Sequence, residues 1–150
     1  MAQFRSLEEL KNAVGSEFGP IDWIQITQEQ IDQFAKLTRD EQWIHVDVER
    51  ASASPFGTTV AHGYFVLSLV APAVMGLMTI ENAKVFLNYG LNKVRFPTSV
   101  PAGARIRAKL RLVEVRAQGA GTLFVSEATV ELENSAKPAC VAEVVTYVEF

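Results

Sequence analysis

Residues 61–80 read AHGYFVLSLVAPAVMGLMTI, an almost wholly apolar segment about as long as a short membrane-spanning helix. The segment contains a histidine and a proline, and its flanks lack aromatic and basic anchors, so a transmembrane role is not favoured. A helix that is apolar on every side is equally expected at the centre of a water-soluble domain. We therefore predict a buried helix from residue 63 to about residue 78, kinked at Pro72 because proline removes a backbone hydrogen bond.

The second half of the chain has the alternating pattern of β-strands. Between residues 104 and 112 the even positions are apolar and the odd positions are basic, the two-residue period of a strand with one dry face. The basic positions are Arg105, Arg107, Lys109 and Arg111. The apolar positions change parity after Leu112, which predicts a β-bulge there, with Val113 and Val115 turned inward.

The strand-like segments define the predicted fold class. A glycine-rich turn at residues 119–121 and a polar turn at residues 134–138 separate three long strands, the last of them at residues 140–150. Because twist accumulates along strands of this length, the sheet curls and can close around one helix. We predict an α+β fold in which a long antiparallel β-sheet wraps around a buried central helix, with residues 1–150 forming a single domain.

Two shorter helices are predicted before the central one. Ser6 and Glu9 have capping-box spacing and begin a helix that ends near Gly15, and Thr27 and Gln30 repeat the signal for a helix ending near residue 37. Regular periodicity then disappears between residues 38 and 61. Long connections in compact domains are often functional, so this segment is the first place to look for a site.

Composition excludes several classes of protein. The net charge of −3 argues against nucleic acid as a partner, because phosphate neutralisation requires a basic surface. Cys140 is the single cysteine, so no intrachain disulfide and no thiolate zinc cluster can form, and a reducing compartment is expected. The first nine residues include acidic residues and no apolar run, unlike a signal peptide. These features predict a cytoplasmic protein that binds neither nucleic acid nor membrane.

Asp40 and His45 lie within the irregular segment, in the stretch DEQWIHVD of residues 40–47. Spacing alone favours a solvated acidic loop that carries a surface histidine. Apolar residues interleave with the polar ones, however, so part of the loop is expected to fold inward and take His45 with it. A carboxylate and an imidazole in one pocket can share a water molecule and divide proton donation and acceptance.

His62 and Gly63 begin the predicted central helix. A structural role is assigned to His62, whose imidazole is expected to satisfy a local backbone group. A functional role is assigned to the backbone N–H of Gly63, because free N–H groups at a helix N-terminus can stabilise a polarised carbonyl oxygen.

Other kinds of site are not supported by the sequence. It has no glycine-rich phosphate loop, no serine elbow and no cluster with metal-ligand spacing, so no metal is expected. Cys140 begins a strand and is interpreted as a small core residue. The basic row of residues 105–111 is interpreted as the solvated face of a strand, with contact to the phosphates of a cofactor as the alternative.

At this point the chain resembles the MaoC-like dehydratases, which include the R-specific enoyl-CoA hydratases and the NodN-like proteins. The resemblance covers nearly the whole chain and rests on three stretches in this order: residues 34–51 with the Asp-x-x-x-x-His core, Ala61-His62-Gly63, and NYGLNKVRFP at residues 88–97. Gln42-Trp43, where the family commonly has Asn-Pro, is similar to the NodN-like branch. Arg39 replaces the usual glycine before the aspartate, which predicts a position that adopts a positive φ less readily.

The resemblance implies a hot-dog fold that forms a homodimer, and an acyl-CoA substrate whose trans-2-enoyl group is delivered on a pantetheine arm. Asp40 and His45 are implied to hold the water that adds to Cβ, and the Gly63 amide to bind the thioester oxygen. The implied reaction is reversible hydration of trans-2-enoyl-CoA to (R)-3-hydroxyacyl-CoA, which needs no metal or redox cofactor.

Two alternatives remain open from the sequence. Hot-dog thioesterases and acyl-carrier dehydratases generally take a carboxylate from the central helix, but no Asp or Glu occurs between residues 63 and 80. A non-catalytic acyl-thioester-binding or NodN-like module is the alternative from a different class.

Overall fold

The computed structural model describes residues 1–149, which form helices in the first half and long strands in the second. The strands are β1 (Ala2–Phe4), β2 (Glu17–Phe18), β3 (Ile24–Gln25), β4 (Met78–Ile80), β5 (Val85–Arg95), β6 (Arg105–Gln118), β7 (Gly121–Leu132) and β8 (Cys140–Glu149). The helices are α1 (Leu7–Asn12), α2 (Gln28–Thr38), α3 (Trp43–Val46), α4 (Val48–Ser52), α5 (Gly63–Ser68) and α6 (Val70–Leu77).

The large sheet is built from the long strands of the second half. Its order is β2-β6-β7-β8-β5, with β3 also paired to β6, and every pairing in it is antiparallel. A second, two-stranded sheet pairs β1 with β4 in parallel. The predicted α+β class and long antiparallel sheet are confirmed, and the arrangement around the central helix is the hot-dog fold.

One face of the apolar segment at residues 61–80 packs in the centre of the core, but its opposite face is exposed, so the predicted burial on every side is confirmed only in part. Val66 and Val70 are each 2% exposed, and they pack in one cluster with the inward-facing residues of β6 and β7, including the fully buried Phe124. The helix is interrupted at Leu69, between α5 and α6. Pro72 accounts for the interruption, because its missing N–H leaves the carbonyl one turn earlier without a helical partner.

The predicted bulge in β6 is present, but one of its side chains was predicted wrongly. Leu112 pairs with Ser126 and Glu114 pairs with Val125, so Val113 is the extra residue. Because a bulged residue has no opposite partner, Val113 is turned outward and is 41% exposed. Only Val115 packs against the core as expected.

The basic row of β6 lies on the outer face of the sheet and is paired with glutamates. Arg107 and Lys109 lie 2.7 and 3.3 Å from the Glu131 carboxylate, and Arg111 lies 3.0 Å from Glu127. Arg105 is paired in the same way with Glu133. Because these cations already have partners and lie near solvent, they are the solvated strand face that the sequence predicted, and each pair contributes little to stability.

Residues 38–61 contain more regular structure than the sequence predicted. Two short helices, α3 and α4, occupy the middle of the segment. The Asp47 side chain caps α4 by accepting a hydrogen bond from the Arg50 N–H at 3.0 Å, and the Arg50 guanidinium lies 4.3 Å from the centre of the Trp43 ring. Helices of four and five residues are too short to show a helical period in sequence, so tertiary contacts account for them.

No helix within residues 1–149 has the length and hydropathy needed to cross a membrane.

Candidate active site

Asp40 follows the C-terminal turn of α2, and the backbone conformation of Arg39 sets the direction in which the chain leaves the helix. Arg39 has φ 64° and ψ 20°, the left-handed conformation that commonly ends a helix. Arginine therefore adopts a positive φ here, although its Cβ makes this conformation less favourable than it is for glycine, as the sequence suggested. The turn leaves the Asp40 side chain exposed to solvent.

We expect Arg39→Gly to stabilise the protein by about 1 kcal/mol, because glycine adopts the left-handed conformation without the Cβ penalty. Urea unfolding followed by circular dichroism measures this difference. Arg39→Ala is the matched control, since it removes the same charge but keeps the Cβ. Equal stability of the two variants would contradict the assignment of strain to Arg39.

His45 lies on α3 and is buried, as its apolar neighbours predicted. Its side chain is 7% exposed, and Nδ1 lies 2.6 Å from the Val60 carbonyl oxygen. Because a carbonyl can only accept, the ring proton is assigned to Nδ1, which donates to Val60. The lone pair of His45 is therefore on Nε2.

Burial changes the acid–base behaviour of His45. Burial lowers the pKa of its imidazole below the ordinary value of 6.5, since the charged form loses solvation. The hydrogen bond to Val60 opposes this shift, His62 adds to it, and Asp40 weakly opposes it. The net direction is downward, so His45 is neutral at physiological pH and Nε2 can accept a proton.

His62 makes a different contact from the local one that the sequence predicted. It precedes α5 and is 2% exposed, and its Nε2 donates to the backbone carbonyl of Asp40 at 2.8 Å. Phe34 of α2 packs on the same ring, with centroids 5.0 Å apart. His62 therefore ties the start of the central helix to the main chain of Asp40, a residue 22 positions away.

Asp40, His45 and His62 form one cluster. A carboxylate oxygen of Asp40 and a ring nitrogen of each histidine all lie within 4.8 Å of one another. The two imidazoles stack with centroids 3.7 Å apart and an interplanar angle of 23°. Lone pairs lie in the ring plane, so two nearly parallel rings do not direct them to one point, and the cluster is a poor metal site.

Gly63 is the first residue of α5, and its N–H has no hydrogen-bond partner among residues 1–149. A Cβ at this position would lie 3.0 Å from Cδ2 of Phe96. The glycine therefore allows close packing of the Phe96 ring against the helix start.

Sequence reasoning missed two polar residues beside this cluster, Gln28 and Thr59. The Gln28 side chain binds the backbone carbonyl of His45 and the hydroxyl of Thr59. Gln28 lies in the first turn of α2, where polar residues are ordinary, and Thr59 lies in an irregular stretch. Nothing in either local pattern distinguished them.

An apolar groove follows the central helix on the side of β5. It has a volume of about 380 Å³ and lies between the two helix segments and the sheet. It is lined by Leu67, Ser68, Val70, Ala71, Asn88, Gly90, Leu91 and Val144.

Comparison with known families identifies the class of this protein. The sequence matches the family described as the MaoC like domain over residues 9–135. The chain belongs to the MaoC-like dehydratase family. It is therefore an enzyme of the hydratase and dehydratase type, as the Asp-x-x-x-x-His stretch and the Ala-His-Gly stretch indicated.

Individual relatives within the MaoC-like family agree with this placement. The chain is 51% identical over 150 residues to 3-hydroxyacyl-thioester dehydratase Z of Mycobacterium tuberculosis, with 99% of each chain covered. It is 43% identical to Nodulation protein N of Rhizobium leguminosarum bv. viciae, covering 97% of this chain and 92% of the relative. The solved (R)-hydratase from A. caviae involved in PHA biosynthesis aligns with a TM-score of 0.72 over 89% of this chain and 94% of that chain. At 18% identity, the last similarity is one of fold.

Proposed function

We propose that this MaoC-like protein, acting as one domain over residues 1–150, catalyses reversible hydration of trans-2-enoyl-CoA to (R)-3-hydroxyacyl-CoA. The observation that carries the proposal is the convergence of the Asp40 carboxylate and the His45 imidazole within 4.8 Å. One water molecule held by two hydrogen bonds of ordinary length bridges oxygen and nitrogen atoms about 4.6 Å apart. The curated dehydratase relative acts on a 3-hydroxyacyl thioester by its name, which supports the same reaction class.

In the hydration direction, Asp40 and His45 hold the water and His45 accepts one of its protons at Nε2. The hydroxide equivalent forms a C–O bond to Cβ of the enoyl group, and the electron pair of the C=C bond moves toward the thioester carbonyl. A proton returned from the Asp40 and His45 pair then bonds to Cα. The reaction adds both parts of the water and consumes no other reagent, so we propose that no metal or redox cofactor takes part.

The Gly63 N–H is proposed to bind the thioester oxygen as negative charge develops on it. This N–H has no partner in the part of the chain that the structure describes, which leaves it available, and the backbone dipoles of α5 add to its effect. Loss of one such donor typically costs about two to three powers of ten in rate.

The acyl chain is proposed to lie in the apolar groove beside the central helix. Leu67 lies four residues after Gly63, which corresponds to about 6 Å along a helix. A chain whose thioester oxygen is at Gly63 therefore reaches the groove after a few carbon atoms.

The hydratase proposal is tested by incubating the purified protein with crotonyl-CoA and longer trans-2-enoyl-CoA. The expected result is loss of the conjugated-thioester absorbance, with (R)-3-hydroxyacyl-CoA identified by chiral chromatography. Release of free CoA would instead indicate a thioesterase. No turnover at any chain length would contradict the proposal and favour a non-catalytic acyl-binding module.

The rate of hydration is expected to fall at acidic pH. Because burial lowers the pKa of His45 below 6.5, Nε2 is unprotonated in most molecules at pH 6.5 and in more of them as the pH rises. We expect its contribution to kcat/KM to level off above pH 6.5 and to fall as the pH drops through the lowered pKa. Measurement of kcat/KM for crotonyl-CoA at constant ionic strength checks this. An acidic limb with its midpoint above 6.5 would contradict the assignment to His45.

A homodimer is proposed, with β5 as the contact strand. β5 is the edge of the large sheet beyond β8, and it is 11 residues long. Leu87 and Tyr89 on this strand are 52% and 58% exposed. A long apolar edge strand readily pairs with another strand, and a second copy of the chain offers an identical edge.

We expect Leu87→Lys to convert the dimer to a monomer, because a lysine on an edge strand opposes pairing. Light scattering at micromolar concentration measures the mass, and circular dichroism shows whether the fold is kept. Val113→Lys is the control, since Val113 is an exposed valine on β6 rather than on β5. A monomeric wild-type protein would contradict the proposed dimer.

A cytoplasmic location is also proposed for this enzyme, because its single cysteine, Cys140, is a free thiol, as expected in a reducing compartment. The thiol is buried and burial raises its pKa to about 11, so the structure gives it no role as a thiolate. Localisation of a fluorescent fusion in the native host tests the proposal, and a signal outside the cytoplasm would contradict it.

A further inference from the structure

The Gln28 side chain joins the start of α2 to the main chain of His45. Its Nε2 lies 2.8 Å from the His45 carbonyl oxygen and 2.7 Å from Oδ1 of Asp32, and its Oε1 accepts a hydrogen bond from the Thr59 hydroxyl. The His45 carbonyl and the Asp32 carboxylate can only accept hydrogen bonds from the amide nitrogen, and the Thr59 hydroxyl donates a hydrogen bond to the amide oxygen. The amide therefore uses both of its hydrogens and its oxygen, which defines its orientation.

These contacts form part of a closed ring that includes the His45 imidazole. From Gln28 the ring passes through the His45 carbonyl to its side chain, whose Nδ1–H donates to Val60. Val60 is bonded covalently to Thr59, whose hydroxyl returns to Gln28. His45 is thus held at its main chain and at its ring by one closed set of hydrogen bonds.

Few other groups can replace Gln28 in this ring. The His45 carbonyl lies near the end of the four-residue helix α3 and accepts no backbone hydrogen bond within residues 1–149. The Thr59 side chain is 1% exposed, so its hydroxyl has no access to bulk water. Loss of Gln28 would leave a buried donor and an acceptor unpaired, which favours movement of the segments that carry them.

We propose that Gln28 and Thr59 are positioning residues that hold the Nε2 lone pair of His45 toward the reacting water. This inference rests on the proposed hydratase function, in which that lone pair accepts a proton. Displacement of a reacting group by about 1 Å can cost roughly 100-fold in rate. Gln28 contacts the main chain of His45 and Thr59 contacts the Gln28 side chain, and neither residue lines the proposed substrate groove, so their loss is expected to lower kcat and leave KM nearly unchanged.

The test compares Gln28→Met and Thr59→Val, which preserve side-chain size, with Thr59→Ser, which retains the hydroxyl. The first two are expected to lower kcat for crotonyl-CoA roughly 100-fold, and Thr59→Ser is expected to restore most of it. The double variant is expected to be no slower than either single one, because both changes open the same ring. Gln33→Met is the control, since Gln33 lies on α2 but binds only Glu29 on the helix surface.

A second readout follows the imidazole without substrate. The chain has only two histidines, so the ring N–H signals of ¹⁵N-histidine-labelled protein are readily assigned. The Nδ1–H of His45 is expected to be protected in the wild type and in Gln33→Met, and to exchange rapidly in Gln28→Met and Thr59→Val. Circular dichroism shows whether each variant is folded. If Thr59→Val does not fold, Gln28→Met and Thr59→Ser still test the proposal.

The outcomes separate the two proposals. Wild-type kcat together with a protected Nδ1–H in Gln28→Met would overturn the positioning role. Rapid exchange with unchanged kcat would support the positioning of the ring but contradict a catalytic function for His45. A fall in kcat that Thr59→Ser does not restore would indicate general disruption of packing, and would also overturn the inference.

Discussion

Asp40→Asn is expected to lower kcat for hydration of crotonyl-CoA by about two to four powers of ten. The amide keeps the size of the carboxylate but carries no negative charge, so it holds the water less strongly and does not stabilise the proton that His45 accepts. The fold is expected to persist, because His62 binds the backbone carbonyl of Asp40 and the side chain is exposed. Stopped-flow absorbance measures the rate, and circular dichroism and thermal unfolding measure the fold.

Glu41→Gln is the matched control for this experiment. Glu41 is the next residue, it is also exposed, and the change replaces a carboxylate by an amide in the same way. We expect its rate to stay within about twofold of the wild type, because surface substitutions away from a site have small effects. Equal losses in both variants would show that the rate depends on the charge of the loop and not on Asp40.

His45→Gln is the second substitution with a large expected effect, also about two to four powers of ten in kcat. A glutamine amide can donate to the Val60 carbonyl as Nδ1 does, so the contact with Val60 is kept. It provides no basic nitrogen in place of Nε2, however, and the proton of the water then has no acceptor there. The same absorbance assay measures the loss.

The pH dependence distinguishes this loss from damage to the fold. The residual activity of His45→Gln is expected to lack the acidic limb that the lowered pKa of His45 gives the wild type. An unaltered limb would show that another group produces it. A rate within about threefold of the wild type would remove His45 from the mechanism.

The secondary structure was predictable where a regular pattern extends over a long segment of the sequence. Alternation in residues 104–112 located β6, and the uninterrupted apolar run located the central helix. The short strands β1 and β2 and the short helices α3 and α4 were not predicted, because segments of two to five residues show no period. The outward turn of Val113 depends on which residue of the bulge loses its partner, which a parity change alone does not determine.

The candidate site was predictable only in part. Asp40, His45 and Gly63 were selected from the residue types and from their resemblance to a family pattern. The contact of His62 with Asp40 and the contacts of Gln28 with His45 and Thr59 were not, since they join residues 17 to 31 positions apart. Contacts across such separations leave no trace in local periodicity.

The sequence by itself determined the apolar central helix and three of the four long antiparallel strands, and it singled out Asp40 and His45 as the proposed acid–base pair. These features depend on residue type and short-range spacing, which are properties of the chain before it folds. The tertiary structure alone decided that the buried His45 ring binds Val60 through Nδ1, which leaves Nε2 as the free nitrogen, and that burial lowers its pKa. That outcome required the packing of α2, α3 and the start of α5 together, because burial and hydrogen-bond partners arise only when distant segments meet.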